Sequence, residues 1–234
     1  VGVLLPSANA AAVTIFGLHA YGRVPAMLNF STGAINMSAA CTAAEVSTII
    51  TSRKFIEAGE MQADIDLLSR TCRIIYLEDA RDTVSSIDKL RGLLGRFFIR
   101  GTLRHNGAAS DPHAPAVILF TSGSEGVPKG VVLSHRNLVS NCRQITSRIA
   151  FTPHDIFFNA LPVFHAFGFT GGIVLPALVG MRSFLYPSPL HYKIIPELVY
   201  DTNATVLIAT DTFLTGYARN AHPYDFYSLR LLVG

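Results

Sequence analysis

Short apolar runs recur along this 234-residue chain, each separated from the next by a turn or by a stretch with helical spacing. Runs of this kind at 1–5, 24–29, 47–51, 74–77, 116–120, 130–133, 156–160, 182–186, 205–209 and 229–233 predict strands. Most are apolar at nearly every position rather than at alternate ones, the pattern of strands covered on both faces. Helical patterns lie between them, at 9–21 with Asn9 as N-cap and Gly22 as stop, and at 37–44, 61–70 and 135–149. Strands alternating with helices imply an α/β fold, layered around largely parallel sheets with flanking helices. A breaker-rich stretch at 103–115 predicts a loop, and Phe151-Thr152-Pro153-His154-Asp155 a joint between two α/β regions, 1–150 and 151–234.

Half of the residues are hydrophobic and only 15% are charged, against about 25% in an average soluble domain. That excess fits many buried strands, or a piece of a larger protein whose interfaces are laid open. Both termini fall inside apolar runs, so the expectation is a truncated large domain. Residues 1–22 and 156–181 carry almost no charge, yet Pro6, Ser7 and Asn9 in the first and Asn159, Pro162, Gly171, Gly172 and Pro176 in the second argue against a signal peptide or a membrane span. A net charge of +3 excludes a nucleic-acid-binding signature but suits a small anionic substrate. Cys41, Cys72 and Cys142 are odd in number and far apart, which gives neither a disulfide framework nor a metal site.

Thr121-Ser122-Gly123-Ser124-Glu125-Gly126-Val127-Pro128-Lys129-Gly130 follows a predicted buried strand. Glycines let backbone N–H groups turn toward an anion, hydroxyls add donors and a lysine adds a compact cation. This is the composition of a polyphosphate cradle. It is not a Walker loop, because Pro128 precedes Lys129 and Gly130 follows it, and not a nucleophile elbow, because Ser122 stands where the first glycine is required. An ordinary Gly/Ser turn would seldom combine all three donor types.

The loop resembles the phosphate-binding signature T-S-G-[ST]-[TS]-G-x-P-K-G of the adenylate-forming superfamily, with Glu125 at a hydroxyl position. Leu161-Pro162-Val163-Phe164-His165-Ala166-Phe167-Gly168 is similar to that superfamily's L-P-x-F-H-x-x-G. On its own, a histidine between aromatic residues would more often be core. More narrowly, Phe120-Thr121-Ser122-Gly123-Ser124-Glu125-Gly126, the stretch Phe184-Leu185-Tyr186-Pro187-Ser188-Pro189-Leu190-His191-Tyr192 and the stretch Asn220-Ala221-His222-Pro223-Tyr224-Asp225-Phe226-Tyr227 look like the synthetase half of the bifunctional bacterial 2-acylglycerophosphoethanolamine acyltransferase/acyl-[acyl carrier protein] synthetases. No His here has an Asp five residues later, so the acyltransferase motif H-x-x-x-x-D is absent from this sequence.

The resemblance implies ATP-dependent activation of a long-chain fatty acid to an acyl-adenylate, then transfer to the thiol of acyl carrier protein or, alternatively, CoA. It implies ATP and Mg²⁺ as cofactors, with no protein metal ligands assigned. Thr121, Ser122, Gly123, Ser124, Gly126 and Lys129 would hold the β- and γ-phosphates; Glu125 would cap the loop or organise Mg²⁺; Lys129 and His165 would act in catalysis, His165 near the carboxylate and α-phosphate. It also implies that the whole protein works at the cytoplasmic face of the bacterial inner membrane, associating with it only through parts outside these residues. The superfamily's later motifs do not occur in this sequence, so the chain by itself is expected to be inactive. A non-catalytic nucleotide-binding module and an interaction fragment are the other classes left open.

Overall fold

The computed structural model describes residues 1–108, 110–121 and 128–234. They divide into two compact units: Val1–Leu5 with Ala12–Arg136, and Pro6–Ala11 with Asn137–Gly234. The sequence reading set the division at 150. It falls earlier because the C-terminal end of the helix His135–Thr146 packs among second-unit residues, where Gln144 and Ile145 share a cavity wall with Phe157 and Phe167.

The first unit is built on a six-stranded sheet. Its strands are β1 Gly2–Val3, β2 Ala26–Met27, β3 Thr48–Thr51, β4 Arg73–Tyr76, β5 Pro115–Thr121 and β6 Lys129–Ser134. They run in the order β4-β3-β1-β2-β5-β6, parallel except for the antiparallel β5–β6 hairpin. Leu4, Leu28, Met37, Ile49, Ile65 and Leu68 form the core on one face. The helix Asn9–Ala20 stops where expected: Gly22 adopts a φ of +63°, and a Cβ there would lie 2.2 Å from the Gly107 carbonyl oxygen. His19, in the last turn, donates from Nε2 to the Ala116 carbonyl at 2.7 Å and fixes the helix against the start of β5. Burial lowers its pKa, which keeps the ring neutral. Ser52 caps the helix Arg53–Ala58, and Glu78 sits at the same N-terminus. Burial alone would raise the Glu78 pKa, but hydrogen bonds from the Ser52 hydroxyl and the Arg53 and Lys54 N–H groups hold it down to about 2.

One part of this unit has no counterpart in the sequence reading. Helices occupy Leu77–Thr83, Ser86–Gly95 and Ile99–His105, so the expected loop at 103–115 begins only after His105. A capping box starts the second of these: the Ser85 hydroxyl accepts from the Asp88 N–H, while the Asp88 carboxylate accepts from the Ser85 N–H.

The second unit holds a four-stranded, wholly parallel sheet: β7 Ile156–Asn159, β8 Arg182–Leu185, β9 Val206–Ile208 and β10 Leu231–Val233, in the order β10-β9-β7-β8. Phe158, Ile195, Val199, Leu207 and Tyr217 form its main cluster. The uncharged stretch after residue 156 becomes a strand, a turn, a π-helical segment Phe167–Val174 and a short helix Leu175–Val179. No helix among the described residues is long and apolar enough to cross a membrane. Just before β7, the buried Asp155 accepts from the Thr152 N–H at 2.7 Å, the Thr205 hydroxyl at 2.7 Å and Arg230 Nε at 2.6 Å. Arg230 also donates to the Ala150 carbonyl, so one carboxylate ties the starts of β7, β9 and β10. The Arg230 guanidinium holds the Asp155 carboxyl well below the usual carboxylate range, against the opposing pull of burial.

Candidate functional site

In open α/β sheets ligands gather outside the carboxyl ends of the strands, above all where the chain crosses from one side of a strand to the other. Both sequence motifs lie at such ends. In the first unit, β5 runs Pro-Ala-Val-Ile-Leu-Phe-Thr, with Ala116, Val117 and Leu119 buried, and surfaces at Thr121. The chain returns antiparallel, so Thr121 and Lys129 face each other as partners across the last pair of the hairpin. Both are exposed. A hydroxyl and an ammonium group therefore stand together at the mouth of the glycine-rich segment. Ser122, Gly123, Ser124, Glu125 and Gly126 lie outside the described residues.

In the second unit β7 is the crossing strand, flanked by β8 on one side and β9 on the other. Its carboxyl end leads straight into the segment that carries His165. Asn159, fully buried, turns the chain: its Oδ1 accepts from the Leu161 N–H at 2.9 Å, and its amide approaches the Gly168 carbonyl at 3.4 Å. The buried Ser7 hydroxyl donates to the Leu161 carbonyl at 2.6 Å. The His165 N–H closes the turn onto the Pro162 carbonyl at 3.1 Å, and the His165 carbonyl accepts from the Phe169 N–H at 2.8 Å. Val163 and Phe164 point into the core, which leaves His165 exposed with its ring edge-on to Phe164 at 4.6 Å. The reading of His165 as a packed core residue does not hold. Partial desolvation lowers its pKa, so the ring is neutral near pH 7, with one nitrogen donating and the other accepting.

The glycines of this segment are set by close packing. A Cβ on Gly168 would stand 2.2 Å from the Pro162 carbonyl oxygen, and one on Gly172 would stand 1.9 Å from the Asn159 amide. Gly168 is thus the residue that lets the π-helical segment lie against the turn presenting His165.

Beside this segment lies a cavity of about 360 Å³ with an almost wholly apolar lining. Phe157 of β7, Phe167 and Gly171 of the π-helical segment, Leu175, Ile208 and Ile145 contribute to its wall. Phe167 is only two residues from His165. Sequence reasoning found His165 but not Asn159, Ser7 or the cavity. Asn159 had left a trace, as the one amide in a long uncharged stretch.

Among the described residues no group of three or more His, Cys, Asp or Glu side chains could hold a metal. Mg²⁺ keeps most of its waters and needs only one or two carboxylates beside substrate phosphates, so a Mg²⁺–polyphosphate species requires no dedicated protein metal cage.

Comparison with known proteins agrees with this architecture. The sequence model of the AMP-binding enzyme family matches residues 1–234. A medium-chain fatty-acid–CoA ligase of Escherichia coli (strain K12) is 46% identical over 70 residues, covering 30% of this chain and 12% of its own. A medium-chain-fatty-acid–[acyl-carrier-protein] ligase of Teredinibacter turnerae is 36% identical over 73 residues, 31% of this chain and 11% of its own. Among solved structures, O-succinylbenzoate coenzyme A synthetase from Bacillus subtilis in complex with AMP superposes with a TM-score of 0.74 at 17% identity, over 100% of this chain and 54% of that one. The same synthetase has been solved with ATP and magnesium ion, at a TM-score of 0.73 and 16% identity over 99% of this chain and 43% of that one. The chain spans about half of that synthetase and far less of the two ligases.

Proposed function

The chain belongs to the AMP-binding enzyme family, and on that premise we propose that it serves the ATP-dependent activation of a fatty acid to an acyl-adenylate in the whole protein. The observation that carries the acid's identity is the apolar cavity of about 360 Å³ whose wall includes Phe167, next but one to His165. A site lined this way rewards hydrocarbon along most of its wall, with Gln144 and Arg148 its polar residues. The relatives named as fatty-acid ligases support the same substrate class.

Each group then has a role. Lys129, with Thr121 and the Ser122–Gly126 donors, neutralises the β- and γ-phosphates and withdraws charge from the leaving pyrophosphate, the electrostatic work that dominates such transfers. His165, neutral and exposed at the end of β7, positions the carboxylate for attack on the α-phosphorus and donates a hydrogen bond to an oxygen that gains charge. Mg²⁺ supplies counter-charge to the polyphosphate. The acyl group passes next to a thiol. We assign acyl carrier protein as the acceptor and a long chain as the preferred acid. CoA is the second reading, supported by the CoA ligase among the relatives.

ATP–pyrophosphate exchange by the whole protein tests this, across a series of fatty acids and with polar acids of equal length as controls. Exchange that rises with hydrocarbon length supports the reading; exchange that ignores the acid would sink it. Adding purified carrier protein or CoA then distinguishes the acceptors by which thioester accumulates.

A further inference from the structure

We propose that residues 85–105 form an arm that lies flat in the interface of an anionic lipid membrane. The helix Ser86–Gly95 and its continuation carry Ile87, Leu90, Leu94 and Phe97 at helical spacing, and all four are exposed. Phe98 and Ile99 follow at the turn into the next helix, Phe98 at 75% exposure. Soluble surfaces scatter such side chains singly; with Leu93, seven gather here within thirteen residues. At two of the arm's three glycines, Gly92 and Gly101, an added Cβ would meet no atom within 4 Å; at Gly95 it would meet only Thr102 of the arm itself.

Charge identifies the occupant. Lys89, Arg91, Arg96, Arg100 and Arg104 stand in this arm against a single carboxylate, Asp88. The whole chain carries only +3, so the positive excess is concentrated here. A second protein surface would need an acidic, strongly apolar face to match; an anionic bilayer offers both properties at once. Bulky apolar side chains enter the acyl boundary while long basic ones reach the headgroups, the pattern of an in-plane amphipathic helix. The arm is too short and too charged to span a bilayer. This places membrane contact within the chain itself, where the sequence reading assigned it to other parts of the protein. The proposal stands apart from the ligase reading.

Co-sedimentation of the chain with extruded vesicles tests it. We expect capture by phosphatidylglycerol/phosphatidylcholine vesicles to exceed capture by pure phosphatidylcholine vesicles by about tenfold, and to weaken at high salt. Phe97→Ser/Phe98→Ser and Arg96→Glu/Arg100→Glu should each reduce it by about tenfold, while Arg96→Lys/Arg100→Lys retains it. Circular dichroism checks that each variant keeps its fold. Equal capture by neutral vesicles would overturn the proposal. So would a chain that ignores vesicles but self-associates until Phe97→Ser/Phe98→Ser makes it monomeric.

Discussion

His165 owes its exposure to its neighbours: Val163 and Phe164 take the buried positions, Asn159 sets the turn, and the imidazole is left at the surface. If the ring aligns the carboxylate, His165→Ala should lower the adenylation rate more than it weakens ATP binding, a kcat effect with little change in KM for ATP. The neutral ring is the working form and its pKa is lowered, so the acid limb of the pH–rate profile should lie below the ordinary histidine value of 6.5. A fully active variant would strip His165 of the positioning role. Lys129 makes the complementary prediction. Lys129→Ala should weaken use of ATP by about 1–3 kcal/mol, the scale of a lost charged hydrogen bond, in pyrophosphate exchange. Both residues could be singled out from the sequence because the motifs that carry them are local. Asn159 and Ser7 could not, since their hydrogen bonds join positions whose proximity only the fold creates.

At the scale of elements, the strands were legible because parallel strands buried on both faces are written as continuous apolar runs. The antiparallel return at β5–β6 was not, although it sets Thr121 opposite Lys129. The helices between Leu77 and His105 escaped for the opposite reason: their apolar residues have no core to face, and so no strand or turn pattern frames them. The π-helical form of Phe167–Val174 left no separate signal in its apolar run. Its wide turn brings Gly172 against Asn159, and this yields a sharp test. Gly172→Ala inserts a methyl group where the Asn159 amide stands and should cost about 1–3 kcal/mol of stability, the range for overpacking a close contact. Denaturant unfolding measures it. Loss of His165-dependent activity should accompany the loss of stability, because Asn159 holds both. A Gly172→Ala variant as stable as the parent would mean that this contact is looser than it stands here.

Over the whole molecule, each unit has its own sheet and its own buried cluster, and the second depends on one charged connection of long range. Arg230 and the two threonines satisfy a carboxylate that is 3% exposed, so Arg230→Ala should cost about 2 kcal/mol and raise hydrogen exchange at Phe157 and Leu207 while leaving Ile49 and Leu119 unchanged. Asp155 has a folded pKa below its unfolded value of 3.8, so its contribution is complete above that value and fades as the pH falls through the folded one. Arg230→Ala should accordingly flatten the acid dependence of stability below about pH 4. The same connection also has a chronology. Asp155 leaves the ribosome 75 residues ahead of its cation, a delay of roughly 4–15 s at ordinary elongation rates. For that interval β10 is missing from the sheet and the Asp155 carboxylate waits in water, so the strands it joins are tied together only once the stretch around Arg230 has been made.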